Sequence, residues 1–157
     1  MADDATLALQ ATMLPDDIQL TIAGAMSVAP ADATQKWYYK HTAISHSSSS
    51  DLIAGHYLTT AATTSTTAPE TVASGDLVKF LLVKNDSTED GIMLSIDGGA
   101  AAHDLADGIF IGASETWFGR LPNVTVANLH CIASDDGGAG DATVNAQVFA
   151  LLDDVSA

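Results

Sequence analysis

His130 and Cys131 stand side by side in HCIA, an imidazole next to the chain's single thiol and so the two groups of a nucleophile–base pair. Successive residues on an extended chain point to opposite faces, which keeps these two apart. Cys131 shares its face with Leu129 and Ala133 and reads as a small buried hydrophobe. No GxSxG turn offers a serine nucleophile. The five histidines, His41, His46, His56, His103 and His130, follow neither HExxH nor any comparable close spacing, so they are read as surface or partly packed side chains.

Clustered carboxylates make the stronger case for chemistry. Asp86, Glu89 and Asp90 in NDSTEDG, and Asp135, Asp136 and Asp141 in SDDGGAGD, set oxygen ligands among residues that permit sharp turns, as a calcium loop requires. Neither loop keeps the EF-hand register, and hairpin turns use the same residues for conformational reasons alone. The reading therefore carries no metal and no cofactor, with these two loops as the calcium alternative. The glycine runs after Asp97 and Asp136 lack both the Walker lysine and the GxGxxG spacing, so they make no phosphate cradle.

Aromatic clusters remain. Trp37, Tyr38 and Tyr39 stand between Lys36 and Lys40, and Trp117 with Phe118 precedes Arg120, the only arginine. Trp, Tyr and Arg are the side chains most enriched at binding hot spots, which makes these six residues the candidate interface. On a strand, Trp117 and Leu121 share one face while Phe118 and Arg120 share the other, so one aromatic belongs to the core and its neighbour is presented outward. Arg120 is expected to make a charge-assisted bond to a carboxylate or carbonyl, inside the domain or across a subunit contact.

The elements that must position these residues have a period of two. Ile18, Leu20, Ile22 and Met26 alternate with polar or small residues, and Val144, Ala146, Val148, Ala150 and Leu152 alternate with Thr143, Asn145 and Gln147, the pattern of half-buried strands. In residues 76–85 both faces are apolar, as in a central strand covered on both sides. IMLSID, GIFIG, ETWFGRL and VTVANLHCIAS read as further short strands between turn signals. Residues 3–14 fit a helix capped by aspartate or an alternating strand, and the strand is preferred. Residues 45–70 read as long Ser/Thr-rich surface connections around one weak strand, Ile53–Thr60. The expected fold is all-β, a single-domain antiparallel β-sandwich or jelly roll over residues 1–157, with residues 1–17 as an extended N-terminal arm.

Composition fits one globular domain: 157 residues, 47% hydrophobic. Twenty acidic residues against five basic ones leave a net charge of −15. Such a surface repels phosphate backbones and anionic lipid, so direct nucleic-acid binding and membrane association are not expected. No apolar run approaches the ~20 residues of a membrane helix. The first residues carry no basic and apolar signal-peptide pattern, which points to synthesis in the cytoplasm.

The succession DLVKFLLVKN, IMLSIDGGAAAHDLADGIFIGASETWFGRLPN and VNAQVFALLDDV, over residues 76–155, resembles small β-rich virion structural proteins of tailed bacteriophages, of the capsid decoration, cement or tail accessory type. The resemblance implies a non-enzymatic virion protein, most often on the capsid surface, that binds the major capsid protein or another virion protein and forms homo-oligomers, trimers ahead of dimers. Phage tail or neck placement, a carbohydrate-binding β-sandwich and a small jelly-roll hydrolase are the alternatives.

Overall fold

The computed structural model describes residues 4–13, 20–58, 70–103, 108–134 and 143–155. The chain divides into two compact units, residues 1–33 and residues 34–157. Apart from one 3-10 turn at Val126–Asn128, every regular element among the described residues is a β-strand.

In the first unit, β1 (Ala5–Met13) pairs antiparallel with β2 (Leu20–Val28) in an unbroken register from Ala5 opposite Val28 to Met13 opposite Leu20. The alternating pattern at Ala5–Met13 thus becomes the first strand of a hairpin, because the run beginning at Leu20 has the same period and length, while residues 1–3 and 14–17 of the expected N-terminal arm lie outside the described residues.

The second unit carries two antiparallel sheets. The larger contains β3 (Gln35–Ser45), β5 (Leu77–Asn85), β8 (Thr116–Gly119), β9 (Val124–Thr125) and β11 (Thr143–Asp153), in the order β3-β11-β5-β8 with β9 also on β5. The smaller contains β4 (Ser50–Asp51), β6 (Ile92–Ser95), β7 (Ile109–Ile111) and β10 (His130–Ala133), in the order β4-β10-β6-β7. One buried cluster joins them: Tyr38, Leu81, Val83, Val148 and Leu152 from the larger sheet meet Ile92, Leu94, Ile111 and Cys131 from the smaller. This is the packing of a sandwich, in which each sheet contributes alternate residues.

β5 is central, and its outer face is covered only in part, with Leu82 half-buried and Lys84 exposed there. Val78, Leu81 and Val83 enter the shared core while Phe80, on the opposite face beside Leu151, is equally buried. The register shifts between Leu151 and Leu152, with Lys79 the extra residue on β5. That bulge returns Val78 to the core face, where strict alternation from Leu81 would have placed Lys79.

Residues 45–58 depart from the expected weak strand at Ile53–Thr60. Leu52, Ile53 and Tyr57 are buried without strand pairing of that segment, apart from a single bridge between His56 and Thr71. The Tyr38 hydroxyl donates to the Ala54 carbonyl (3.1 Å) and Lys40 Nζ donates to the same oxygen (3.1 Å), so this stretch is a loop packed across the end of the core. Residues 59 and 60 lie outside the described residues.

Buried polar groups close the ends of the sandwich. Asp76 accepts the Tyr57 hydroxyl at 2.5 Å and the backbone N–H groups of Ala73 and Val155. Lys36 bridges Glu70 and the buried Asp154, the latter at 2.7 Å, and its ammonium lies 5.3 Å from the Tyr57 ring centre. A buried carboxylate is tolerated only when paired or fully hydrogen-bonded, and these two satisfy that condition by tying the C-terminal strand to the loops beside it.

Candidate functional site

Strand register decides which aromatic residues can meet a partner. On β3, Tyr38 and Ile44 point into the core, so Trp37, Tyr39, His41 and Ala43 point away from it. On β8, Trp117 packs against the core and Phe118 takes the outer face. Of the candidate interface residues, Tyr38 is thus a buried core side chain and Trp117 is partly buried against the core. Trp37, Tyr39, Phe118 and the exposed Arg120 stay outside the core.

Register then brings together what sequence spacing alone does not. Tyr39 on β3 lies opposite Phe149 on β11, Phe149 opposite Leu82 on β5, and Leu82 opposite Phe118 on β8. Four apolar side chains from four strands thus form one row across the outer face of the larger sheet. The Trp37 ring stacks on Phe149 with centroids 4.8 Å apart and planes 17° from parallel. Tyr39 is 47% exposed, while Trp37, Leu82, Phe118 and Phe149 are half-buried.

Phe149 and Leu82 were absent from the interface read in the sequence. The signal was present: Phe149 falls in the register of Thr143, Asn145 and Gln147, an aromatic on an otherwise polar face. Leu82 was hidden because β5 is apolar on both faces, so alternation there distinguishes nothing.

The next row along is polar. Asp86 accepts from Gln147 Nε2 (2.9 and 3.1 Å), pairs with Lys84 Nζ at 2.9 Å, and lies 3.1 Å from His41 Nε2. The bond from Lys84, and after it that from Gln147, hold the Asp86 carboxyl down at about 2. An apolar row bordered by a hydrogen-bonded polar cluster has the anatomy of a small interaction surface.

For the first calcium loop, the geometry is that of a turn. Asp86 is directed to Lys84, His41 and Gln147, while the Ser87 hydroxyl accepts the backbone N–H groups of Glu89 and Asp90. The buried Asn85 side chain donates to the carbonyls of Asp90 (2.7 Å) and Gly112 (3.0 Å) and accepts the Ser87 N–H (2.9 Å). Asp86, Glu89 and Asp90 do not converge, and among the described residues no group of three or more His, Cys, Asp or Glu side chains is placed to share a metal ion. Asp135, Asp136 and Asp141 lie outside the described residues.

The outer face of the smaller sheet holds Asp51, His130 and Ser95 in one row across β4, β10 and β6, the residue types of a hydrolytic triad. Asp51 Oδ1 lies 3.2 Å from His130 Nδ1. The Ser95 hydroxyl donates to Asp97 at 2.7 Å instead, and Ser95 is buried, so the row makes no serine–histidine pair. Cys131, behind this face, is fully buried, and desolvation pushes its thiol up to about 11. A thiol so far from its thiolate is a poor nucleophile.

Comparison of the chain with protein-family models, with curated proteins and with solved structures finds no match.

Proposed function

We propose that this protein is a non-enzymatic virion structural component, of the capsid decoration or cement kind, which docks on the major capsid protein or another virion protein. The observation that carries the reading is the outward row Tyr39–Phe149–Leu82–Phe118, with Trp37 stacked on Phe149 and the Asp86 cluster along its border. Aromatic side chains held by three strands, with Leu82 from a fourth, give contact area at little entropic loss, and a bordering polar cluster excludes water and fixes register. The net charge of −15 keeps such a protein soluble before assembly and turns it from nucleic acid toward protein surfaces. Its place is the outside of the particle, and further copies of the chain are its neighbours there.

Particles lacking the protein, re-decorated with purified chain, test the reading. The double variant Tyr39→Ala/Phe118→Ala removes two outward-facing rings without emptying the core between the sheets and is expected to lower occupancy by about tenfold or more. Occupancy equal to wild type, with an unchanged melting curve, removes the aromatic row from the docking surface.

A further inference from the structure

The hairpin of β1 and β2 is amphipathic across its width. Its register puts Leu7 opposite Met26, Leu9 opposite Gly24 and Ala11 opposite Ile22 on one face, and Thr6 opposite Ser27, Ala8 opposite Ala25, Gln10 opposite Ala23 and Thr12 opposite Thr21 on the other, which carries no side chain larger than Gln10. Exposure along the apolar face rises from Val28, which is fully buried, through the half-buried Leu7 and Met26 to Leu9 at 54% and Ile22 at 56%. A two-stranded ribbon is marginal in water unless an apolar face is covered, so the distal half of this one lacks the burial that such a ribbon needs.

Charge identifies the occupant. Residues 5–13 and 20–28 include no Asp, Glu, Lys or Arg, in a chain that carries twenty acidic residues, and the nearest of those, Asp3, Asp4, Asp16, Asp17 and Asp32, lie outside both strands in the sequence. A cationic partner would be drawn to the acidic residues elsewhere and gains nothing from a neutral patch. Two copies of a −15 chain, by contrast, repel everywhere except across a surface without charge. We infer that the apolar face centred on Leu9 and Ile22 packs against the same face of the hairpin in a second copy of this chain.

The contact is small. Nine residues at ~3.4 Å and two strands give a face of about 30 by 10 Å, on the order of 300 Å², against ~800 Å² a side in a standard stable interface. Association in dilute solution is therefore weak, and it tightens when a scaffold holds copies side by side and raises their effective concentration. This deepens the reading of an oligomeric virion protein, yet it stands on the hairpin alone and is read without particles, so its failure is separate from failure of capsid docking.

Sedimentation equilibrium of the full chain in about 0.5 M salt, which screens the net charge, is the test. Wild type is expected to show a monomer–dimer equilibrium between about 10 and 1000 μM. Leu9→Gln/Ile22→Gln should weaken it by about tenfold or more, while Gln10→Ala on the opposite face leaves it unchanged. Should the double variant lose the hairpin's strand signal, oxidative cross-linking decides: Cys131 is buried, so Leu9→Cys should form disulfide-linked dimers faster than Gln10→Cys. A wild-type chain that stays monomeric throughout, association unaffected by the double variant, or equal cross-linking at positions 9 and 10 overturns the inference.

Discussion

Cys131 and Asp86 show how environment, rather than residue type, sets chemical behaviour in this chain. Burial raises the thiol of Cys131 to about 11, with the Ser50 hydroxyl beside it as a smaller opposing influence. The folded protein should therefore react with a thiol reagent at pH 8 far more slowly than the denatured chain, and comparable rates would mean the strand is not closed over it. Asp86 is shifted the other way, chiefly by the bond from Lys84, to about 2 from an ordinary 3.8. Because its folded value is the lower one, its contribution to stability is complete above about pH 4 and disappears as pH falls through about 2. Asp86→Asn should accordingly flatten the decline in melting temperature between pH 4 and pH 2; a decline as steep as wild type would remove Asp86 from the acid response. The bland reading of Cys131 was legible in the sequence because neighbours on a strand cannot share a face. The role of Asp86 was not, since Gln147 reaches it only through the pairing of β5 with β11, and His41 only through the further pairing of β11 with β3.

At the scale of elements, the two longest strands of the larger sheet, β3 and β11, pair over eleven residues and carry Trp37, Tyr39 and Phe149 of the candidate surface. The second of them was readable from Thr143 to Val148, where polar and apolar residues alternate. β3 was not: Lys36 and Lys40 lie in the core-facing register, which destroys the alternation. They are accommodated because their ammonium groups reach Asp154, Glu70 and the Ala54 carbonyl at the sandwich end. β5 is the element on which both sheets depend, since Leu81 and Val83 fill the shared core while the other edge of the strand holds β8 and β9. Leu81→Ala should lower stability by about 2–5 kcal/mol in chemical denaturation, the range for emptying a buried leucine site. Loss below 1 kcal/mol would show that the core around β5 collapses freely. A smaller strain is expected at Gly98, whose φ of +89° favours glycine and where an added Cβ would approach Asn128 Oδ1 to 2.9 Å. Gly98→Ala should therefore cost about 1–2 kcal/mol in the same assay, and an unchanged denaturation midpoint would mean that the Asn128 side chain moves aside.

The whole molecule contains an acidic sandwich, residues 34–157, and, in residues 1–33, a hairpin whose two strands carry no charged residue. The β class and most strands of the sandwich were visible from period-two patterning and turn residues. The division into two units was not, because an amphipathic hairpin and a sandwich strand obey the same alternation and differ only in what they pair with. The outward aromatic row was half-visible for a similar reason: each strand supplies one member, and only the register aligns them. Adhesion to a virion surface is what these features together propose, and stoichiometry tests it most directly. Quantitative mass spectrometry of purified particles should find this chain at a copy number of the same order as the major capsid protein, released by mild heating before the shell opens. Its absence from purified particles, with the chain instead free in the infected-cell lysate, would contradict the account.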